Sequence, residues 1–443
     1  MQSYNNQYSF FILLFYFYNL ALCTLYQHDP NDLINKQYFA IEPASTAFAL
    51  NITPITYHDH CDLKQLHLIT RHGSRYPAPY DVNAFNQLAQ IFSNVSVAQG
   101  WYKNPFPMER NYQLIPRGEE EPYYDGIQCL LRYNQFWNKY KNITGRYDPE
   151  VVKFQAGAFS RCGASAMAFS EGLFNGDGPL DICKNQPVYV WNLPANEDDI
   201  IEFYNNCYLA NQTVINNNPT YNQQNYTYGN NTLKPIADRM TNDYGINPPL
   251  NPYLVPYIYD ACQFWILHFN RTDTWCSLLS EDDIIKASYY WDMTNYYQYS
   301  YGNSLNQQTG CVYFTQLVNS VESALNGSSI MLADLKNGHA HTILPILATL
   351  GVAKNSYPLT ANLTLDQIKQ LNYTGGKTVY WSSTFYFEIY TCPSGPPKVR
   401  FVMNSQPIII PGCDDEFCNW STFKKILGNK IGCNFNQLCN NPS

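Results

Sequence analysis

Three stretches of this chain read as an apolar strand passing through a turn into helical spacing, and that recurrence constrains the fold more than any other feature. The first is "LKQLHLIT" (63–70), a buried strand of mixed alternation that Gly73 and Pro77 break. The second is "VVKFQAGAFSRCGASAMAFSEGLF" (151–174), with Val151 to Phe154 extended and a helix beginning near Ser160 or Ser165. In the third, "SIMLADLKNGHAHTILPILATLGV" (329–352), Ile330 to Leu335 are strand-like, Thr342 suits a helix cap, Pro345 its first turn and Gly351 its end. A helix is also predicted from about Tyr124 to Tyr140, where apolar and aromatic residues recur at helical spacing. Strand-turn-helix units repeated in this way specify an α/β protein. The expectation is a three-layer α/β/α sandwich with a central, mostly parallel sheet.

Residues from about 185 to 310 differ in texture. "NNNPTYNQQNYTYGNN" is irregular and polar, whereas "PYLVPYIYDACQFWILHF" and "EDDIIKASYYWDMTNYYQYSY" are amphipathic. The chain therefore divides into an α/β core, 24–185 and 311–443, and an inserted, mainly helical cap, 186–310.

Residues 9–23, "SFFILLFYFYNLALC", form an apolar run too short to span a bilayer comfortably and suited to a secretory signal, with Ala21 and Cys23 at the cleavage end. A signal over 1–23 and no stable membrane span after its removal are expected. The chain has 14 cysteines, and N-x-Ser/Thr sequons stand at eleven asparagines from Asn51 to Asn419, which together indicate an oxidising, glycosylating compartment. The tail "NQLCNNPS" carries neither a retrieval tetrapeptide nor a hydrophobic anchor, so delivery is read as secreted or lysosome-like. Cys262 with Cys276 and Cys413 with Cys418 are candidate disulfides, and the odd number of cysteines after the signal leaves one thiol over, with Cys162 a candidate. The histidines do not flank the cysteines at zinc spacing. A net charge of −8 offers no footprint for nucleic acid or for an anionic membrane. Any anion must be met locally, and the oligomeric state stays open.

Chemistry concentrates at "RHGSRYP" (71–77), directly after the first strand. Loops at the carboxyl ends of strands in α/β sheets bind ligands. Arg71 and Arg75 offer forked donors that suit phosphate oxygens better than they suit each other. Beside them His72 is biased to its neutral form and presents a lone pair, making it a candidate nucleophile toward phosphorus. An anion of this kind is neutralised by guanidinium groups, so neither a metal nor an organic cofactor is implied. The partner is a small phosphorylated substrate.

The motif resembles the signature of the histidine acid phosphatases, within which the chain is most similar to the multiple inositol polyphosphate phosphatases. Further blocks of resemblance are 114–133, 159–173, 260–279 and 337–352. The resemblance implies that His72 forms a phosphohistidine, that Arg71, Arg75 and Arg161 clamp the phosphate, and that His339 donates to it. Taken alone, Arg161 reads as a surface arginine and His339 as a helix-start histidine. Where inositol polyphosphate phosphatases read His-Ala-Glu, this chain reads His339-Ala340-His341. The leaving oxygen still needs a proton; His341 is the catalytic candidate to supply it, with Asp334 as a fallback. Three readings follow: hydrolysis of inositol polyphosphates, a broad-specificity acid phosphatase, and an impaired relative that binds phosphorylated ligands. Lys64, Lys103, Arg110 and Lys336 are the cations that a polyphosphate pocket could draw on.

Overall fold

The computed structural model describes residues 25–43, 47–48, 61–174, 179 and 186–441; the expected signal segment, the Asn51 sequon and Cys183 lie outside them. In chain order the main elements begin with β1 (Asp62–Arg71), α1 (Pro79–Phe92), α2 (Pro116–Arg132), α3 (Asn134–Thr144), β2 (Val152–Ala156), α4 (Ser160–Leu173) and β3 (Val190–Asn192). They continue with α5 (Val255–Phe269), α6 (Glu281–Tyr299), α7 (Cys311–Leu325), β4 (Ala333–Gly338) and α8 (Ala340–Leu350). The C-terminal part adds β5 (Thr384–Thr391), β6 (Lys398–Met403), β7 (Gln406–Ile408), β8 (Cys418–Asn419) and α9 (Trp420–Leu427).

All eight strands join one sheet in the order β3-β2-β4-β1-β5-β6-β7, with β8 on β6. The β3-β2-β4-β1 half is parallel, and β5 to β8 are antiparallel. Both faces are covered. Ile69, Phe387 and Phe401 pack with Phe314 of α7, Ile343 of α8 and Phe423 of α9. On the other face Leu66, Leu68 and Tyr386 pack with Trp137 of α3 and Phe169 of α4. This two-sided burial is why β1 reads as mixed and not strict alternation: Gln65 and His67 are buried along with Leu66, Leu68 and Ile69. The α/β sandwich expected from the strand-turn-helix units is the observed architecture.

Several local expectations shift. The single helix predicted over 124–140 is two, α2 and α3, broken at Tyr133. Its start lies earlier, at Pro116, because the first turns of α2 meet backbone and a buried carboxylate, leaving no apolar stripe to read. In α8 the cap position is His339; Thr342 lies three residues in, accepting the His339 backbone N–H at its Oγ1 (3.2 Å), and Pro345 falls beyond the first turn. Gly351 ends that helix at φ 86°, a left-handed conformation that glycine adopts without strain.

The segment 186–310 does not pack as one unit. Its β3 extends the sheet beside β2, and Phe203, Cys207 and Val214 join the cluster on the α7–α8 face. Its later helices, including α5 and α6, share a core with α1 and with Phe39, Ile41 and Leu371 from outside the segment. Disulfides join Cys262–Cys276 and Cys413–Cys418, the two pairs read from the sequence, and also Cys61–Cys392, Cys207–Cys439 and Cys311–Cys433. Cys162 is free and buried, and so is Cys129. Among the described residues no helix is long and apolar enough to cross a membrane.

Candidate active site

The parallel register assembles the site. Arg71 pairs with Gly338 across β1 and β4, and Ala156 pairs with Asn337 across β2 and β4. Three neighbouring strands thus end at one level. From those ends issue His72 after β1, His339 after β4, and Arg161 in the first turn of α4 after β2. Backbone bonds hold the ends together: His72 N–H donates to Gly338 O (3.0 Å) and Gly157 N–H to Asn337 O (3.0 Å). Arg71, His72, Arg75, Arg161, His339 and His341 all line one cavity of about 690 Å³ between the sheet edge and the α5–α6 helices.

The loop after β1 is clamped from two sides. Gly73 N–H donates to Ser165 Oγ of α4 (3.0 Å), while Ser74 gives its backbone N–H and its hydroxyl to the two oxygens of Glu121 in α2 (2.8 Å each). Arg117 Nε also donates to Glu121 (2.8 Å). A Cβ on Gly73 would sit 1.9 Å from the Gly118 carbonyl oxygen, so only glycine lets the loop and α2 approach this closely.

His72 is 3% exposed, and its Nδ1 lies 2.9 Å from the carbonyl oxygen of Gly73. A carbonyl only accepts, so Nδ1 carries the proton and Nε2 the lone pair. Burial, and then the charges of Arg161, His339, Arg71 and Arg75, hold the ring well below the usual histidine range. The neutral form of the ring is therefore favoured, with its lone pair at Nε2.

Arg71 donates to Val379 O and stands over the Trp381 ring; Arg75 donates to Tyr76 O (2.7 Å); Arg161 lies over Phe159 and Tyr112. The Nε atoms of Arg71 and Arg161 are buried without a protein partner. Among the described residues no ion pair joins any of the three to a carboxylate. Burial, with the neighbouring guanidinium charges, pushes both Arg71 and Arg161 down. Such a cluster is costly unless an anion sits within it.

His339 donates Nε2–H to Glu202 (3.0 Å), accepts at Nδ1 from Arg161 Nη2 (3.4 Å), and stands edge-on to His72 with ring centroids 5.4 Å apart. Burial lowers the His339 pKa, Glu202 raises it and Arg161 lowers it, with a net downward shift. Glu202 is 0% exposed; burial would raise its carboxyl, yet the His339 hydrogen bond and charge bring it below the usual value. Nothing in the sequence marked Glu202 as part of this site. Cys162 Sγ lies 3.5 Å from His339 Nε2 and packs there as a thiol.

His341 lies at the cavity, stacked on Tyr299 with centroids 4.0 Å apart. Burial, followed by the charges of His339, Arg71, Arg161 and Arg75, pushes it down to about 3, so the empty site holds it neutral. Asp334 is elsewhere, buried on β4 with Lys336 Nζ 2.5 Å away, and does not line the cavity. The same pairing removes Lys336 from the cations available to a substrate, while Lys103 and Arg110 lie on the exposed surface. Neither these nor Lys64 line the cavity.

The sequence model of the histidine phosphatase superfamily, branch 2, matches residues 62–404, and the chain belongs to that family. It is accordingly a phosphatase. The chain is 27% identical over 447 residues to multiple inositol polyphosphate phosphatase 1 of Dictyostelium discoideum, covering 86% of this chain and 69% of the relative. Among solved structures, the phytase from D. castellii superposes with a TM-score of 0.70 at 17% identity, covering 93% of this chain and 88% of that one. The Bifidobacterium longum multiple inositol polyphosphate phosphatase in complex with inositol hexasulfate gives a TM-score of 0.67 at 12% identity, covering 88% and 97%.

Proposed function

We propose that this chain is a secreted phosphomonoester hydrolase that works through a phosphohistidine. The observation that carries the reading is the His72 ring, its Nδ1 proton engaged by Gly73 O and its Nε2 lone pair free beside three guanidinium groups. In the first step Nε2 attacks phosphorus, a P–N bond forms, and the P–O bond to the alcohol breaks with a proton passing to the alcohol oxygen. Arg71, Arg75 and Arg161 hold the phosphoryl oxygens, and His339, oriented by Glu202, donates to them as its own charge is drawn up by the anion. Water then attacks phosphorus, giving a proton to the His341 left neutral by the first step; the P–N bond breaks, phosphate leaves and neutral His72 is restored.

The proton for the leaving group is assigned to His341, the side chain that replaces the expected glutamate. A bound phosphate dianion opposes the cationic charges that depress this ring, so proton donation from it depends on the substrate being present. Inositol polyphosphates are the substrates expected from the resemblance. Entry to the secretory pathway is supported by the disulfides and by the sequons.

The test is phosphate release from 4-nitrophenyl phosphate and inositol hexakisphosphate by wild type and His72→Ala, with a denaturing alkaline quench that preserves phosphate bound through nitrogen. Turnover and protein-bound, acid-labile phosphate are both expected to vanish in His72→Ala. Turnover that survives the substitution, or wild-type protein that never carries such phosphate, rejects the mechanism.

A further inference from the structure

A glutamate at the end of the His-Ala-Glu motif is a neutral acid or an anion, whereas His341 in its place is a cation or a neutral ring and is never negative. In either form it keeps an N–H donor. The ring is half-buried at the start of α8, lines the cavity, and lies stacked on Tyr299 of α6 with centroids 4.0 Å apart, while the Tyr204 ring meets it edge-on at 5.5 Å. The charges that act on it, those of His339, Arg71, Arg161 and Arg75, all have one sign. Among the described residues no hydrogen bond or ion pair joins it to a carboxylate. Glu202 is engaged by His339 Nε2 (3.0 Å) and Asn205 (3.0 Å). Asp81, Asp260 and Asp292 also line the cavity, where Asp81 accepts the Ala78 backbone N–H (2.8 Å) and Asp292 that of Gly375 (2.6 Å). His341 thus rests as a neutral donor without a counter-ion.

What such a residue can assist depends on the group that leaves. An alkoxide is nearly as basic as hydroxide, whose conjugate acid has a pKa of about 15.7, so an alkyl ester waits for a protonated donor. A phosphate expelled from a diphosphate is a far weaker base, its conjugate acid ionising near about pH 6, and can depart unprotonated. It asks only for a neighbour that does not repel it. An ionised glutamate at this position would oppose the departing anion; His341 offers it an N–H, and the positive end of α8 lies beside it. We infer that the site works fastest on phosphoanhydrides, in which the transferred phosphate is carried on a second phosphate and His341 N–H donates to the one that departs. Polyol phosphates stay within its range, and a polyol that bears a diphosphate loses the outer phosphate first.

The bonds balance without an acid in the first step. His72 Nε2 attacks the terminal phosphorus, a P–N bond forms, and the bond from that phosphorus to the bridging oxygen breaks. The bridging oxygen keeps the electron pair and departs with the inner phosphate, so no proton moves. Water then cleaves the P–N bond, its proton passing to the neutral imidazole in the tautomer that turns a lone pair to the water, and from there to solvent. The form of His341 that burial and the surrounding cations favour, with its pKa held at about 3, therefore serves both steps. On an alkyl ester that same form serves only the second. A cavity of about 690 Å³ has room for the two phosphates.

This preference rests on the phosphatase reading proposed above, and the substrate set separates the two. Near pH 6, kcat/KM is measured from initial phosphate release with inorganic pyrophosphate, inositol hexakisphosphate, 4-nitrophenyl phosphate and phenyl phosphate. Pyrophosphate is expected to exceed inositol hexakisphosphate, and 4-nitrophenyl phosphate to exceed phenyl phosphate, by at least about tenfold, short of the 10²–10⁴ that a working general acid supplies. In His341→Glu, which restores an acid for the alkoxide and a negative charge against the phosphate, both ratios should fall by at least about tenfold. In His341→Gln, which keeps a neutral N–H and has no proton to give, the ratio of pyrophosphate to inositol hexakisphosphate should rise. Each is a ratio within one preparation, so a fraction of misfolded variant does not change it. A wild-type pyrophosphate ratio near or below one, ratios that persist in His341→Glu, or a ratio that falls in His341→Gln overturns the preference while leaving the phosphatase reading intact. Absence of 4-nitrophenyl phosphate turnover in wild type overturns the reading itself.

Discussion

Replacing Glu202 by glutamine removes one negative charge and alters little else. The carboxylate is fully buried, its Oε1 is 3.0 Å from His339 Nε2, and Oε2 accepts from Asn205 (3.0 Å). An amide oxygen can still take the His339 proton, so ring orientation survives. What is lost is the charge that favours the imidazolium: of the influences on His339, Glu202 alone raises it, against burial and Arg161, which lower it. In Glu202→Gln the ring stays neutral to lower pH and donates to the phosphoryl oxygens as a weaker partner. The difference between a charge-assisted and a neutral hydrogen bond in a site without water is about 1.5 kcal/mol, and losing the assisted bond entirely costs up to about 3 kcal/mol. That corresponds to roughly 10- to 150-fold in kcat/KM. The assay is kcat/KM for 4-nitrophenyl phosphate from pH 4 to 8. The deficit should widen as pH rises, because the His339 imidazolium of the variant, with no carboxylate to retain its proton, is neutralised at lower pH than that of wild type. A variant within about threefold of wild type across the range, or a deficit that does not vary with pH, would refute the role given to the pair.

Other consequences are open to measurement. His341, held at about 3 in the free enzyme, acts as the proton donor only when protonated, so the fall of kcat/KM with rising pH that it imposes on wild type across pH 4–8 should be missing in His341→Ala; a variant that keeps the wild-type slope would count against its role. Being depressed, that pKa also means the stability contributed by the neutral ring is present above pH 6.5 and is lost as pH falls toward 3, a dependence that thermal melts of His341→Ala should lack. Arg400→Ala strands Glu388, a 0% exposed carboxylate that takes the Arg400 Nε (2.6 Å), and should cost about 3–5 kcal/mol in urea unfolding without a specific effect on KM. Phosphate, by filling the arginine cluster, should stabilise the fold by about 2.7 kcal/mol at a hundredfold excess over its dissociation constant and so raise the melting temperature in a concentration-dependent way, and Arg161→Ala should blunt the shift.

The sequence made some of this plain and hid the rest for definable reasons. Arg71, His72 and Arg75 could be found because they lie together at the end of a strand that Leu66, Leu68 and Ile69 mark and that Gly73 and Pro77 break off. Arg161 and His339 each stand where a strand passes into a helix, a position that the periodicity marks, although only the parallel register places those positions side by side. Glu202 had no such mark, since it sits in an irregular stretch and its meaning comes from a partner 137 residues away. Asp81 reads locally as an ordinary first-turn carboxylate of a helix. The short disulfides, separated by 14 and 5 residues, could be guessed, whereas those spanning 331, 232 and 122 residues required the fold. β3 was not legible because it is only three residues long and lies within a segment that reads as helices and loops.

One physical thread connects the fold to the chemistry. Parallel strands in register bring three chain segments to one edge, and there the protein holds three guanidinium groups, two of them with an unpartnered buried nitrogen. That concentration of charge is unfavourable in the empty protein and has to be carried by the rest of the structure, which clamps the loop through Ser165, Gly118 and Glu121 and closes the sheet with the Cys61–Cys392 bridge at its far end. Burial, reinforced by the same charge, holds His72 below the usual histidine range, so under the proposed mechanism the groups that bind the phosphate also favour the neutral nucleophile. Burial, with that charge behind it, holds His341 at about 3 as well, so under the proposed mechanism the side chain assigned to give a proton is suppressed by the surroundings that favour the nucleophile. Only an anion in the cluster relaxes both constraints together, which ties the proton donor's availability to occupancy of the site and leaves it disarmed when the site is empty.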